Sequence, residues 1–280
     1  MKLLRAQTAG FCMGVDLALR KLATLIGKGN QIITFGPIIH NPQVLAEYAA
    51  KGVLTEEDPE RIPPYATVVI RAHGIPEPVR QTILARGATL VDATCPKVKK
   101  AQTLICAQAK QGKTLLLFGE EDHPEVQGLL SYATAGAHVF GSMDELTSLE
   151  LPHGPTYFLA AQTTQDEQEF SRIRDYLLDR FGPELTVLST ICNATMNRQQ
   201  EAMDLAALVD FLVVVGGRES GNTRRLAQVA KAAGTPCIHV ETADELTPDL
   251  VAGYQTIGLT AGASTPKKII DHVQQVLEGY

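Results

Sequence analysis

Three α/β units, each built on a parallel sheet, are the architecture this sequence predicts. Apolar runs of strand length alternate with helical periodicity along the whole chain. The alternation repeats about every 90 residues, and polar residues recur after the same strand in each repeat. Alternating strands and helices imply parallel strands joined by crossover helices, and self-similarity at a fixed period marks repeated structural units.

The first element of each repeat is a cysteine that follows a short apolar run and opens a helix. Cys12 precedes Val15, Leu19, Leu22 and Ile26, with Gly27 as a stop. Cys95 precedes Pro96, a favourable first helical residue, then Val98, Ala101 and Ile105, with Gly112 as the stop. Cys192 follows Val187-Leu188 and precedes Ala202, Leu205, Ala206 and Val209.

The second element is a buried strand ending in glycine: Ile32–Phe35 with Gly36, Leu115–Phe118 with Gly119, and Phe211–Val215 with Gly216. Four residues beyond each glycine stand His40, His123 and Ser220, and each is 28 residues beyond its cysteine. Three equal offsets argue against chance. A third strand follows in each repeat, with a polar loop: Val68–Arg71 with His73-Gly74, Tyr157–Ala160 with Gln162-Thr163-Thr164, and Thr256–Leu259 with Gly262-Ala263-Ser264. Helical patterns come next, near 77–86, 166–180 and 267–278. Asp-Glu-Leu-Thr recurs at 144–147 and 244–247. The repeat boundaries fall near 1–94, 95–191 and 192–280. Ligands of parallel sheets sit beyond the carboxyl ends of the strands, so three such units facing one another would gather these loops around one site.

Composition narrows the chemistry. With 280 residues, 45% apolar and 20% charged, the chain can bury a large core. A net charge of −6 disfavours binding nucleic acid through a broad basic surface. No apolar run approaches the roughly 18–20 residues of a membrane span. The start, Met-Lys-Leu-Leu-Arg, runs directly into the glycine–cysteine motif without the pattern of a signal peptide. Five cysteines without an export signal point to thiols or metal ligands, and to the cytoplasm.

Cys12, Cys95 and Cys192 each stand at an expected helix N-terminus, where the dipole and free amides favour an anionic ligand. A lone cysteine is most often a small buried hydrophobe. Equivalence across three repeats favours ligation, and thiolates are the ligands of iron–sulfur clusters. Cys106, inside a helix, and Cys237, before a strand, break the pattern and read as structural. Zinc is the metal alternative, although structural zinc usually draws on close C-x₂₋₄-C pairs, which are absent. Three thiolates would leave one iron of a cubane open to substrate. His40, His73, His123, Thr163, Ser220, Asn222 and Ser264 are suitable phosphate donors near helix N-termini. Glu125 is the only carboxylate among the matched loops and the natural proton donor. His138, His153, His239 and His272 lack such support, and Lys97, Lys99 and Lys100 read as a charge run on a solvated helix face.

In these stretches the chain resembles the 4-hydroxy-3-methylbut-2-enyl diphosphate reductase (IspH or LytB) family. The matching residues are Ala9–Val15, Gly36–Asn41, Arg71–Gly74, Asp92–Pro96, His123–Val126, Gln162–Thr164, Cys192–Thr195 and Ala261–Ser264, in order over almost the full length. The resemblance implies a trefoil of three pseudo-equivalent α/β domains with Cys12, Cys95 and Cys192 on one [4Fe–4S] cluster. It implies reductive removal of the substrate's hydroxyl as water, giving isopentenyl and dimethylallyl diphosphates. It further implies that His40, His73, His123, Ser220, Asn222 and Ser264 hold the diphosphate, and that Glu125 delivers protons, helped by Thr163 and His123. Electrons would come from a ferredoxin or flavodoxin. The chain departs from the family's frequent Ser-Ser-Asn at Ser220-Gly221-Asn222, where Gly221 offers only its backbone amide. Rival readings are a quinolinate-synthase-like dehydrating enzyme, disfavoured by His-Pro-Glu and Gln-Thr-Thr, and an iron–sulfur sensor, for which no added DNA-reading element is visible.

Overall fold

The computed structural model describes residues 1–152, 154 and 156–280, so His153 lies outside the described residues. The strands are β1 (Lys2–Arg5), β2 (Ile32–Phe35), β3 (Leu54–Glu56), β4 (Thr67–Ile70), β5 (Thr89–Asp92) and β6 (Thr114–Phe118). They continue with β7 (Ala137–Phe140), β8 (Tyr157–Ala161), β9 (Thr186–Val187), β10 (Phe211–Val215), β11 (Cys237–Val240) and β12 (Thr256–Ala261). The helices are α1 (Met13–Ala23), α2 (Pro42–Ala50), α3 (Glu77–Ala85), α4 (Pro96–Ala109), α5 (Pro124–Leu130) and α6 (Met143–Ser148). After them come α7 (Glu167–Phe181), α8 (Asn193–Ala206), α9 (Gly221–Ala232), α10 (Pro248–Val251) and α11 (Lys267–Glu278).

The strands form three four-stranded sheets, ordered β3-β2-β4-β5, β7-β6-β8-β9 and β11-β10-β12-β1, and every pairing is parallel. The two inner strands of each sheet are the apolar runs that the sequence marks as buried. A strand covered on both faces needs apolar side chains in both directions, so it reads as a continuous run rather than an alternation. The outer strands β5, β9 and β1 each precede one of the three matched cysteines. β1 joins the sheet made by the last third of the chain, with Leu3 in register with Ile257.

Two compact units result. One comprises residues 1–16, 39–48 and 193–280 and contains the β11-β10-β12-β1 sheet. Alternate residues of β10 enter opposite cores. Phe211, Val213 and Val215 pack with Ile270, Val273 and Leu277 of α11, while Leu212 and Val214 pack with Ala202 and Leu205 of α8 and Leu226 and Ala230 of α9. Each buried Val or Leu contributes about 1.5–3 kcal/mol. The other unit comprises residues 17–38 and 49–192 and contains the two remaining sheets. There Ile33, Phe35, Val68 and Ile70 pack on Ile83 of α3, and Leu115, Leu117 and Phe158 pack on Ile105 of α4 and Val126 and Leu129 of α5. Among the described residues, no helix is long and apolar enough to cross a membrane.

Candidate functional site

The three matched cysteines share one backbone contact. Cys12 N–H donates to the Ala263 carbonyl at 3.1 Å, Cys95 N–H to Ala72 at 2.9 Å and Cys192 N–H to Thr163 at 2.9 Å. In each case the acceptor lies in the loop after the strand next to the one that precedes the cysteine. The same sheet edge therefore fixes each cysteine at a helix entrance. Cys12 and Cys95 accept the first helical bonds, from Asp16 N–H and Lys99 N–H, both at 3.0 Å. All three are half-buried, and none forms a disulfide. Cys106 and Cys237 are half-buried too, so the shared backbone bond at a helix entrance, rather than exposure, sets the three apart. Cys106 lies within α4 as expected. Cys237 opens β11, where burial pushes its thiol up and its Sγ–H points to the Ala227 carbonyl at 3.5 Å.

The second compact unit carries the ionisable part of the expected site. His123 caps α5, and its Nδ1 accepts from Glu125 N–H at 3.1 Å. In the neutral ring that places the proton on Nε2. The His73 ring meets the His123 ring edge-on, with centroids 5.3 Å apart. Gly74 follows with φ +78°, and a Cβ there would come within 2.8 Å of Gln102 Nε2, so this tight turn is reserved for glycine.

Glu125 is 1% exposed. Its Oε1 accepts from Thr163 N–H at 2.6 Å and its Oε2 from Thr163 Oγ1–H at 2.9 Å. Burial raises its pKa to about 7, against the opposing pull of those two bonds. A carboxyl poised near neutrality can both hold and release a proton. Gln162 braces this loop, taking Glu120 N–H on Oε1 at 3.1 Å and donating from Nε2 to Thr164 Oγ1 at 3.1 Å. Thr163 thus touches the carboxyl through its amide and hydroxyl and Cys192 through its carbonyl.

The first compact unit carries neutral donors. Ser220 caps α9, and its Oγ accepts from Thr223 N–H at 3.4 Å, which leaves its own proton available. Ser264 Oγ lies 3.2 Å from both Ser220 Oγ and the His40 carbonyl. Asn222 Oδ1 accepts from Ala263 N–H at 2.9 Å, and so steadies the residue whose carbonyl holds Cys12. Gly221 is the first residue of α9, where a backbone amide has no partner within the helix. Gly217 lets the His40 segment approach, since a Cβ there would meet the His40 carbonyl at 2.7 Å. Next to His40, Asn41 rather than His40 caps α2, with Oδ1 accepting from Val44 N–H at 3.0 Å. That is one residue later than the equivalent caps His123 and Ser220.

Sequence reasoning missed a clamp on the loop before Cys12. Glu201 accepts from Gln7 N–H at 2.6 Å, from Thr8 N–H at 2.9 Å and from the Thr8 hydroxyl. These bonds, together with nearby Arg198, hold its carboxyl below the usual range despite partial burial. Arg198 is buried and donates from Nη2 to the Gly10 carbonyl at 2.7 Å. A signal was present. Arg198 and Glu201 stand four residues before Ala202 and Leu205, so the apolar face of the helix runs into two charges. Of the histidines without support, His239 Nε2 lies 2.7 Å from the Gly216 carbonyl and His138 packs near Tyr157.

Over its length the chain is similar to proteins of one family. The profile of the family described as LytB protein matches residues 3–278. A 4-hydroxy-3-methylbut-2-enyl diphosphate reductase from Solidesulfovibrio magneticus is 79% identical over 286 residues, covering 100% of both chains. One of the same name from Oleidesulfovibrio alaskensis is 58% identical over 279 residues, covering 99% of each. Among solved structures, the E-1-hydroxy-2-methyl-but-2-enyl-4-diphosphate reductase from Plasmodium falciparum is similar at a TM-score of 0.94 and 26% identity, covering 99% of this chain and 87% of that one. An (E)-4-hydroxy-3-methyl-but-2-enyl diphosphate reductase, described as the terminal enzyme of the non-mevalonate pathway, is 35% identical with a TM-score of 0.69, covering 100% of both.

Proposed function

The chain belongs to the LytB protein family, and from that membership we infer that it reduces 4-hydroxy-3-methylbut-2-enyl diphosphate to isopentenyl and dimethylallyl diphosphates. This is the terminal step of the non-mevalonate route to isoprenoids. The family's cofactor is iron–sulfur, and Cys12, Cys95 and Cys192 are the ligands we assign to one [4Fe–4S] cluster. Three half-buried thiols, each at a helix entrance and each fixed by the same backbone bond, fit that group. When bound, the cluster supplies the reducing electrons and an electrophilic position for the substrate's oxygen.

The chain's own residues do the rest. His40, His73, His123, Ser220, Asn222 and Ser264 bind the diphosphate through N–H and O–H donors, joined by the Gly221 amide. Such donors orient a polyanion without the long, flexible cationic side chain of a lysine. Glu125 titrates near neutrality, and its protonated form gives its proton to the departing oxygen. Thr163 fixes the carboxyl through two bonds, and His123 orients the turn that carries it. Overall, two electrons and two protons are taken up, the carbon–oxygen bond breaks, the oxygen leaves as water, and the allylic fragment is protonated at either end. The donor is a ferredoxin or flavodoxin, and the enzyme works in the cytoplasm.

The observation that carries this reading is the buried Glu125, raised to about 7 and held by the residue whose carbonyl secures Cys192. The test is anaerobic incubation of the iron-loaded protein with the allylic diphosphate and dithionite-reduced methyl viologen. Both isomeric diphosphates are the expected products. Preparations that carry zinc alone, or loaded protein that leaves the substrate unchanged, would overturn it.

A further inference from the structure

The first turn of α4 is built against the usual electrostatics of a helix. It carries Lys97 and Lys99, followed at once by Lys100, all exposed, and no acidic residue. Positive charge at a helix N-terminus is disfavoured by the helix dipole. Elsewhere α1, α3, α5, α6 and α7 all place an acid in the first turn. Lysines also open α11, but both are neutralised, Lys267 by Asp271 at 2.7 Å and Lys268 by Glu47 at 2.6 Å. On α4 only Lys99 has such a partner, Asp92 at 2.5 Å. Among the described residues, Lys97 and Lys100 have no carboxylate partner. Lys21 adds to the group by donating to the Asp92 carbonyl at 2.7 Å.

The position is as telling as the charge. Cys95 is the residue that caps α4. With a rise of about 1.5 Å per residue, Lys97 to Lys100 lie within about 8 Å of it along the axis. Beside the lysines opens a cavity of about 580 Å³ lined in part by Ile75, Gln102, Cys106 and Tyr132, where Arg80 and Lys99 pair with Glu77 and Asp92 and Lys110 adds a further positive charge. Its wall includes Thr94, the residue before Cys95. A cationic ridge beside a part-apolar hollow has the make-up of a protein-docking surface, with polar rim and apolar centre.

We infer that this face docks the acidic surface of a one-electron carrier protein, which delivers its electrons beside Cys95. The inference rests on the reductase reading above, in which each turnover consumes two electrons from outside the substrate. Two successive carriers each give up one electron and leave oxidised, while the substrate takes up both electrons with two protons and loses water. In a chain of net charge −6, an acidic carrier is repelled by the molecule as a whole. The charges of Lys97 and Lys100 then set both the encounter rate and the orientation, since electrostatic complementarity acts chiefly on on-rate and register.

The test uses the iron-loaded full chain and the double variant Lys97→Glu/Lys100→Glu, with a flavodoxin as probe. Oxidised flavodoxin is titrated calorimetrically at about 50 mM and about 300 mM salt, because a Debye length near 10 Å or less screens exposed charges at the higher value. Wild type is expected to bind at low salt and to lose about tenfold or more in affinity at high salt. The variant is expected to bind at least about tenfold more weakly at low salt, with little further loss. Its flavodoxin-driven KM for the carrier rises in parallel, while turnover driven by reduced methyl viologen stays unchanged. Equal affinity and equal salt dependence in the two proteins would overturn the inference. If the double reversal fails to fold, Lys97→Gln/Lys100→Gln is read the same way, with a loss of about threefold expected and no loss overturning. Failure of viologen-driven reduction in wild type strikes at the reductase reading instead, whereas the binding arm needs no turnover.

Discussion

Loops that occupy equivalent places in the two compact units carry opposite kinds of chemistry. After β6 and β8 stand His123, Glu125 and Thr163, a set whose central carboxyl is buried and raised to about 7. After β10 and β12 stand Ser220, Asn222 and Ser264, a network of hydroxyls and an amide with no ionisable side chain. The backbone framework is the same in both, down to the bond from each cysteine amide to the neighbouring loop. The difference shows how a repeat can divide labour. One copy encloses a carboxyl poised near neutrality, and the other offers hydroxyls and an amide.

The largest effect should come from breaking the proton-moving copy. Glu125→Gln keeps the shape and an acceptor for Thr163 N–H, but it has no proton to release at neutral pH. Viologen-driven kcat should fall about 10²–10⁴-fold, the usual worth of a positioned general acid. Iron content and substrate affinity should be preserved. The sign of its pH effect follows from the raised value. The folded state keeps this proton up to about 7, while the unfolded chain releases it near the ordinary carboxyl value of 4.5. Stability from this group is therefore full below about 4.5 and declines as pH rises through 7. Denaturant titrations should show that decline in wild type and its absence in the glutamine variant.

The clamp before Cys12 distinguishes the first unit in another way. Arg198→Met should leave the Gly10 carbonyl without its buried donor, costing about 1–3 kcal/mol in a denaturation curve. Loss of iron to a chelator should quicken, and Arg198→Lys should restore part of the retention. A smaller effect is expected in the recognising copy. Ser264→Ala removes one hydroxyl from the network and should raise KM about tenfold, matching roughly 1–1.5 kcal/mol for one hydrogen bond. Its kcat and pH profile should not move, in contrast to Glu125→Gln. Smallest of all, Gly221→Ser adds the hydroxyl this chain lacks at the start of α9, and a two- to threefold lower KM is expected, about 0.5 kcal/mol. A pH shift in either of these two variants would break the division between the copies.

Much of this could be read in the chain. The inner strands β2, β4, β6, β8, β10 and β12 are covered on both faces, so their apolar runs stand out from any neighbour. The 28-residue offset marks His40, His123 and Ser220 because a repeated fold returns the same loop at the same count. Edge strands were harder. β3, only Leu54–Glu56 and partly exposed, has no apolar run to betray it. Nor does Lys2–Arg5 carry any sign that its partner is β12, because pairing over some 250 residues is decided by which sheet edge lies open.

By itself, then, the sequence determined the three parallel sheets, the equivalence of Cys12, Cys95 and Cys192, and the choice of Glu125 as the carboxylate among the matched loops. Those depend on residue type and spacing, which are local properties of the chain. Only the tertiary structure decided that Glu125 is fully enclosed and grips Thr163 at both oxygens, that Arg198 and Glu201 hold the loop before Cys12, and that Lys97 and Lys100 have no carboxylate partner among the described residues. Burial and pairing of charge depend on what arrives from distant parts of the chain, and a proton's affinity for a carboxyl follows from that enclosure.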